Sequence, residues 1–337
     1  MKIACFSFTD MGNIIGKKLV RLVNEDYTFN HYHNSEIEGG IKSIVPYAWN
    51  NYDGLVFISA TGIAIRMINP LINHKTKDPA VIVIDDFSKY VISLLSGHIG
   101  GANELTHYIS ERMDALPIIT TASDSRGIES IDLFAQKNNY YIEDLDSITA
   151  LTSLMVNGKK IGFYSEDKNI INYNNLIVLK ELEIVHKDIE GLIIISSTII
   201  KDINIPHTIL RPKNLNIGIG CKKGIEVNKI RKAIESSLKG AKLSSNSIKS
   251  IGTVEVKKHE RGIIEASEFY NCSLKIFTVE EIREVEEMFQ KSQFVKDTIG
   301  VYSVSEPAAY LLGGELIIRK SKHNGITISI SKENYNG

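Results

Sequence analysis

The sequence lacks several features that would assign a class of protein at once. It has three cysteines in 337 residues, far apart and without a CxxC pair, which argues against a disulfide framework and favours a reducing compartment. No apolar run reaches the roughly 18 residues of a membrane span. The N-terminal stretch "MKIACFSFTDMG" is too polar for the core of a signal peptide. We therefore expect a cytoplasmic protein without membrane contact.

An excess of either charge is also absent. The chain has 39 basic and 40 acidic residues, a formal net charge of -1, so no overall positive field attracts nucleic acid or an anionic membrane surface. A polyanionic ligand has to be recognised locally. With 43% hydrophobic and 23% charged residues, the composition is typical of a globular protein of two or three domains.

Apolar runs rich in Ile and Val alternate with amphipathic segments of helical length, which indicates an α/β fold. The runs "KIACFSF", "GLVFIS", "AVIVID", "YVISLLS" and "LPIITT" include several that are apolar on successive residues. That pattern predicts strands buried on both faces of a mainly parallel sheet. Helices are expected to begin near Gly12, Gly62 and Gly101.

Composition divides the chain into three predicted parts. These are an N-terminal α/β domain with a mainly parallel sheet over 1–137, a small variable middle region rich in Asn, Lys and Glu over 138–212, and a separate C-terminal α/β domain over 213–337. In the last part, "GIEVNKIRKAIESSLKG" and "SEPAAYLLGG" predict helices, and "SIGTVE" and "LKIFTV" predict strands. The segment "ELIIRKSKHNGITISIS" predicts a hairpin that turns at "HNG".

Three glycine clusters resemble nucleotide-binding loops without matching their spacing. "GNIIGKK" is one residue short of a P-loop, "GIGCKKG" has its third glycine one position late for GxGxxG, and "GHIGG" contains no GxG. An α/β enzyme acting on a nucleotide or a sugar phosphate is therefore the weaker alternative.

Two predicted strand-to-helix junctions, "SATGIAIR" and "SGHIGGANE", still have the character of anion-binding corners. Glycine lets a ligand approach the main chain, and the first N–H groups of a helix favour negative charge. Because such junctions share one edge of a parallel sheet, we expect them to form one site, which "TTASD" at a further strand end could join. The predicted substrate-binding residues are Thr61, Gly62, Arg66, Ser96, Gly97, Gly100, Gly101, Asn103 and Asp124.

His98 is the favoured catalytic residue, because imidazole titrates near neutral pH and the loop faces solvent or ligand. Glu104 either assists it or complements the first helical turn. Asn103 and Asp124 have similar ordinary alternatives at a helix start and in a turn. His31 and His33 of "HYH" share one face of a strand, but no third ligand accompanies them, so a surface position is favoured. We predict no metal site.

The last third of the chain adds further predicted substrate-binding residues. The hairpin segment "IRKSKHNG" concentrates positive charge, which is compatible with carboxylate binding and equally with a solvated surface. The predicted residues here are Gly218, Gly220, Thr253, Lys320 and Lys322.

Nearly the whole chain resembles one family. "DGLVFISATGIAIRMINPLI", "DPAVIVID", "VISLLSGHIGGANELT" and "PIITTASD" resemble, in that order, the N-terminal domain of the CbiG-type cobalt-precorrin-5A hydrolases of anaerobic cobalamin biosynthesis. "NIGIGCKKGI", "IGTVEVKKHERGI" and "IGVYSVSEPAAYLLGGELIIRKSKHNGITISIS" resemble their C-terminal domain. The charged centre fits the family's variable middle region.

The resemblance implies an enzyme that opens the δ-lactone of cobalt-precorrin-5A with water and releases acetaldehyde, giving cobalt-precorrin-5B. The partner is then a small-molecule cobalt-corrinoid, and transient contact with neighbouring enzymes of the pathway is allowed. No separate cofactor is expected, because cobalt enters as part of the substrate. The alternative from the same resemblance is a non-catalytic corrinoid carrier.

Lactone opening needs an activated water and a donor for the developing oxyanion. One hypothesis makes His98 the general base or the group that positions water, with Glu104 orienting it and the N–H groups of Gly100 and Gly101 holding the oxyanion. Alternatively, His98 contacts an axial position of the cobalt. A second hypothesis places the macrocycle between the terminal domains. The cations that would meet its carboxylates are Lys320, Lys322 and Arg66.

Overall fold

The computed structural model describes residues 1–74, 77–121, 126–182 and 188–333. The chain divides into two compact units, Met1–Phe134 and Ala135–Gly337. Within the described ranges, the first unit contains one six-stranded sheet and the second contains two five-stranded sheets. No helix in these ranges has the length and apolar character needed to cross a membrane.

The first unit alternates strands and helices as the sequence predicts, with each predicted helix beginning within two residues of its glycine. Strand β2 and helix α2 were not predicted, because β2 is polar and α2 contains Pro46 in its interior. The strands are β1 (Lys2–Ser7), β2 (Thr28–His33), β3 (Gly54–Ile58), β4 (Ala80–Ile84), β5 (Tyr90–Leu95) and β6 (Leu116–Ile118). The helices are α1 (Asp10–Val20), α2 (Ile41–Asn51), α3 (Thr61–Ile68) and α4 (Ala102–Met113), and α5 (Ile131–Lys137) spans the boundary between the two units.

The order of this sheet is β2-β1-β3-β4-β5-β6, and β5 reverses its direction. β1 to β4 are mutually parallel, whereas β5 pairs antiparallel with β4, with Ile84 opposite Val91 and Val81 opposite Leu95. The Asp85 carboxylate stabilises the reversing turn by accepting the N–H groups of Phe87 and Tyr90 at 3.2 and 2.6 Å. The predicted mainly parallel sheet is confirmed, with β5 and β6 running the other way.

Both faces of the sheet are covered. One cluster of buried apolar residues packs β1 and β4 against α1 and α4, and a second packs β1 and β3 against α2 and α3. Every residue of β3 and β4 is buried. Continuous burial explains why these two strands show unbroken apolar runs in the sequence.

The middle of the chain forms its own sheet, in the order β7-β11-β10-β8-β9. None of its strands was predicted from the sequence, although all five residues of β10 are buried. The strands are β7 (Tyr141–Ile142), β8 (Ile161–Ser165), β9 (Leu176–Leu179), β10 (Gly191–Ile195) and β11 (His207–Arg211), accompanied by helix α6 (Leu145–Val156).

The last sheet has the order β14-β13-β12-β16-β15, and its predicted helices, strands and hairpin are confirmed. The hairpin turns at Asn324 and Gly325, both at positive φ (45° and 89°), as a tight two-residue turn requires. The strands are β12 (Leu215–Cys221), β13 (Ile248–Val254), β14 (Ser273–Phe277), β15 (Glu315–His323) and β16 (Ile326–Lys332). The helices are α7 (Val227–Gly240), α8 (Arg261–Phe269), α9 (Val279–Glu286), α10 (Gln293–Ile299) and α11 (Ser305–Leu312).

A half-buried carboxylate joins the two sheets of the second unit. Glu166, just after β8, accepts hydrogen bonds from the Ser196 hydroxyl at 2.6 Å, the Ser197 N–H at 2.8 Å and the Lys332 ammonium of β16 at 2.9 Å. Burial works to raise its pKa, but these donors outweigh it and hold the pKa of Glu166 below the ordinary 4.5. A backbone bridge between Thr198 and Leu243 reinforces the junction.

Glu166→Gln should destabilise the second unit at neutral pH by about 3 kcal/mol, because it leaves the ammonium of Lys332 without its charged partner. The folded-state pKa of Glu166 is depressed, so its contribution is present above pH 4.5 and is lost as the pH falls through the folded value. The difference from wild type in urea unfolding should therefore shrink in acid.

Glu190→Gln is the matched control, because Glu190 pairs with Lys159 at 3.1 Å with both side chains nearly half exposed. Its loss should cost less than about 1 kcal/mol. Equal effects of the two substitutions would contradict the role given to Glu166.

Candidate functional site

The two glycine junctions of the first unit lie at opposite edges of the sheet, where an edge means the border formed by the ends of the strands. Thr61 and Gly62 follow β3, and the loop of residues 96–101 follows β5, which runs against β3. The loop instead lies beside the start of β1, where a Cβ on Gly101 would be 3.5 Å from Met1 Sδ. Strands of five or six residues place the two edges roughly 15–20 Å apart. The prediction that both junctions form one site is wrong, because it assumed parallel strands.

The glycines of the 96–101 loop make room for the loop itself. A Cβ on Gly97 would lie 2.7 Å from Asn103 Oδ1, and a Cβ on Gly100 would lie 2.4 Å from Ser96 Cβ. Gly101 has a φ of 80°, which glycine adopts without strain. Close packing thus accounts for Gly97 and Gly100, and backbone conformation accounts for Gly101, so no approaching ligand is needed to explain them.

The first N–H groups of α4 are also occupied. The N–H of Gly101 donates to the carbonyl of His98 at 2.9 Å, and the N–H of Asn103 donates to the carbonyl of Gly97 at 3.0 Å. The hypothesis that the Gly101 N–H holds an oxyanion is therefore wrong for this conformation. The Asn103 side chain bridges Ser93 and Thr121 at 2.6 and 3.1 Å, which gives it a structural role.

His98 remains partly exposed, and its Nδ1 lies 3.3 Å from the Ser130 hydroxyl. Glu104 is exposed in the first turn of α4. Burial and then the charge of Glu104 raise the pKa of Tyr27, so this carboxylate lies close to Tyr27. Asp124, also predicted to bind substrate at this site, lies outside the described residues. The catalytic role of His98 stays a prediction.

The glycines predicted for the C-terminal site serve packing. A Cβ on Gly218 would lie 1.9 Å from the carbonyl oxygen of Ser305, and a Cβ on Gly220 would lie 2.6 Å from Thr327 Oγ1. Helix α11 can approach β12 only because of this. Thr253 is fully buried and donates to the carbonyl of Ile219 at 2.8 Å.

The two predicted lysines lie on β15, Lys322 exposed and Lys320 half-buried. Burial lowers the pKa of Lys320, and Lys322 lowers it further, while the nearby Glu306 opposes the shift. Glu306 itself is 1% exposed. The lysines are thus available to an anionic ligand, as the sequence predicts. Whether they bind one stays a prediction.

Sequence reasoning missed a cavity of about 700 Å³ at the ends of β12 and β13. Lys257 and Glu260 form an ion pair at 3.3 Å there, and Glu260 also accepts the N–H of Gly224 at 2.9 Å. The volume is that of an ordinary ligand pocket. The signal in the sequence was the string "KKHERGI", whose charged residues follow a predicted strand.

The carboxyl edge of the first sheet contains a second feature that was missed. The hydroxyl of Ser7 lies 2.7 Å from His31 Nε2 and 2.9 Å from His33 Nδ1. His33 is 7% exposed, so the expectation of a surface position is wrong. The ring of His31 fills the space beside Gly16, where a Cβ would lie 2.2 Å from it. The described residues contain no group of three metal-ligating side chains.

Comparison with known proteins covers nearly the whole chain. Residues 43–124 match the family model of the cobalamin synthesis G N-terminal region, 129–212 that of the cobalamin biosynthesis central region, and 215–331 that of the cobalamin synthesis G C-terminus. A cobalt-precorrin-5A hydrolase from Salmonella typhimurium is 34% identical over 97% of both chains. The chain belongs to the cobalamin biosynthesis G family. Another member, the cobalt-precorrin-5A hydrolase of Priestia megaterium, is 33% identical over 87% of this chain and 82% of its own.

Among solved structures, a cobalamin biosynthesis protein G homolog from Sulfolobus solfataricus is similar to this member of the G family. The two are 24% identical, with 98% of this chain and 97% of that chain covered at a TM-score of 0.41.

Gly100→Ala should lower the free energy of unfolding by about 1–3 kcal/mol, because the added methyl has to displace Ser96. Gly240→Ala is the control, since a Cβ there meets nothing within 4 Å. Urea unfolding of both variants measures the difference. An unchanged free energy of unfolding in Gly100→Ala would contradict the packing role given to this glycine.

Proposed function

We propose that this chain is a cobalt-precorrin-5A hydrolase that opens the δ-lactone of its substrate with water and releases acetaldehyde, giving cobalt-precorrin-5B. The observation that carries the proposal is the 34% identity to a curated cobalt-precorrin-5A hydrolase over 97% of both chains. The match includes all three regions of the chain, so the proposal extends to the whole activity and not to a single domain.

The chemistry needs little from the protein beyond proton transfer and orientation. After the lactone opens, loss of acetaldehyde resembles a retro-aldol cleavage, in which the macrocycle accepts the electron pair of the broken C–C bond. Such chemistry belongs largely to the substrate. We therefore propose that no separate cofactor is used and that cobalt enters within the substrate. The proposal also includes a cytoplasmic location and transient contacts with neighbouring enzymes of the pathway.

Anaerobic incubation with cobalt-precorrin-5A should yield cobalt-precorrin-5B and one acetaldehyde per corrinoid. Mass spectrometry follows the corrinoid, and a carbonyl-trapping reagent captures the aldehyde. A reaction without protein is the control. A bound corrinoid that keeps its mass and releases no aldehyde would identify the alternative, a carrier of the same pathway.

The substrate bears several carboxylates, and Lys320 and Lys322 on β15 are proposed to meet some of them. Replacing both lysines by Ala should weaken corrinoid binding about tenfold, equivalent to about 1.4 kcal/mol, and should reduce its dependence on salt. Lys232→Ala, an exposed lysine of α7, is the control and should bind like wild type. Unchanged affinity and salt dependence in the double variant would exclude these lysines.

A further inference from the structure

A fully buried hydroxyl links two imidazoles at the carboxyl edge of the first sheet. Ser7 is the last residue of β1 and is 0% exposed. In the parallel register of β1 and β2, Cys5 faces His31 and Ser7 faces His33. Both rings therefore reach one oxygen atom, at 2.7 and 2.9 Å.

Ser7, His31 and His33 form a hydrogen-bonded trio, and the number of protons on it constrains its chemistry. The hydroxyl of Ser7 has one hydrogen and two lone pairs. When both imidazoles are neutral, it donates to one facing nitrogen and accepts from the other, so one of His31 Nε2 and His33 Nδ1 is protonated and the other is not. The tautomers of the two rings are linked, and a change at one ring is passed to the other through Ser7.

His31 is the accessible end of the trio, because it is partly exposed whereas His33 is buried. Burial lowers the pKa of His31, and His33 and Lys17 of α1 add to this effect, while Glu36 in the turn after β2 opposes it. His31 is thus unprotonated near neutral pH. When its Nε2–H donates to Ser7, its Nδ1 lone pair is free to accept a proton.

The position of the trio in the sheet also fits a ligand site. From β1 the chain passes through α1 to β2 on one side, and then through α2 to β3 on the other. Strand order reverses between β1 and β3, and ligands of open α/β sheets bind at the carboxyl ends of the strands beside such a reversal. Thr61, Gly62 and Arg66 follow β3 at this same edge, whereas His98 lies at the other.

We infer that His31 is the proton acceptor for lactone opening, with Ser7 and His33 as positioning residues. This inference rests on the proposed function. His31 Nδ1 takes a proton from water while the water oxygen bonds to the lactone carbonyl carbon, and the π electrons of the carbonyl move to its oxygen. Collapse of this intermediate breaks the acyl–oxygen bond, and the proton passes from His31 to the departing alkoxide. The products are a carboxylic acid and a hydroxyl, with no oxidant or reductant involved.

The test compares His31→Gln, Ser7→Ala and His98→Gln with His107→Gln, which replaces an exposed histidine of α4. We expect His31→Gln to lower kcat by roughly 10²–10⁴-fold while corrinoid binding, followed by visible absorption, is retained. Ser7→Ala should move the ascending limb of the kcat/KM against pH profile to lower pH, because the protonated ring loses an acceptor. His107→Gln should stay near wild type, and His98→Gln should lose less turnover than His31→Gln.

Near-normal turnover of His31→Gln overturns the inference. The inference is also overturned if Ser7→Ala loses activity only in proportion to its loss of folded protein and keeps the pH profile of wild type. A large loss in His98→Gln with bound corrinoid would return the role to His98, and an altered corrinoid spectrum would indicate contact with cobalt. Wild type that releases no acetaldehyde would contradict the proposed function itself, so the two failures are distinguishable.

A second measurement does not depend on turnover. Long-range ¹H–¹⁵N spectra of histidine-labelled protein should show opposite protonation at His31 Nε2 and His33 Nδ1 in neutral solution, and Ser7→Ala should abolish this relation. Independent tautomers in wild type would refute the linkage through Ser7.

Discussion

The turn at Asp85 is the constraint on which the functional geometry of the first unit depends. By sending β5 back along β4, it assigns the loop of residues 96–101 to one edge of the sheet and the ends of β1 to β4 to the other. A reacting bond held at one edge lies roughly 15–20 Å from residues of the other edge, which is too far for proton transfer. Any account of catalysis in this unit therefore has to choose an edge.

Much of the fold could be predicted from the sequence, because local patterns determine it. Buried strands such as β3 and β4 have unbroken apolar runs, and the Asn324–Gly325 pair predicts its own turn. The direction of β5 was predictable as well, because only residues 85–89 connect β4 to β5 and a parallel pair needs a crossover of about a dozen residues or more. The middle sheet was missed because its strands are short and most are only partly buried.

The candidate site was predictable only in part, because glycine has more than one use. Gly100 and Gly218 suggested space for a ligand, yet each accommodates the chain's own atoms. The opposite error concerned His31 and His33, whose shared partner Ser7 lies 24 and 26 residues away in the sequence. Only the pairing of β1 with β2 brings these three residues together, and no local sequence motif predicts that pairing.

The link between Glu166 and Lys332 bears on how the chain can be divided. It joins the middle sheet to β16, so a protein ending near residue 212 or beginning there would keep only one half of this charged pair and of the backbone bridge between Thr198 and Leu243. The middle and C-terminal regions thus lie together in one compact unit with two sheets. The division between the two compact units falls at Phe134, inside helix α5.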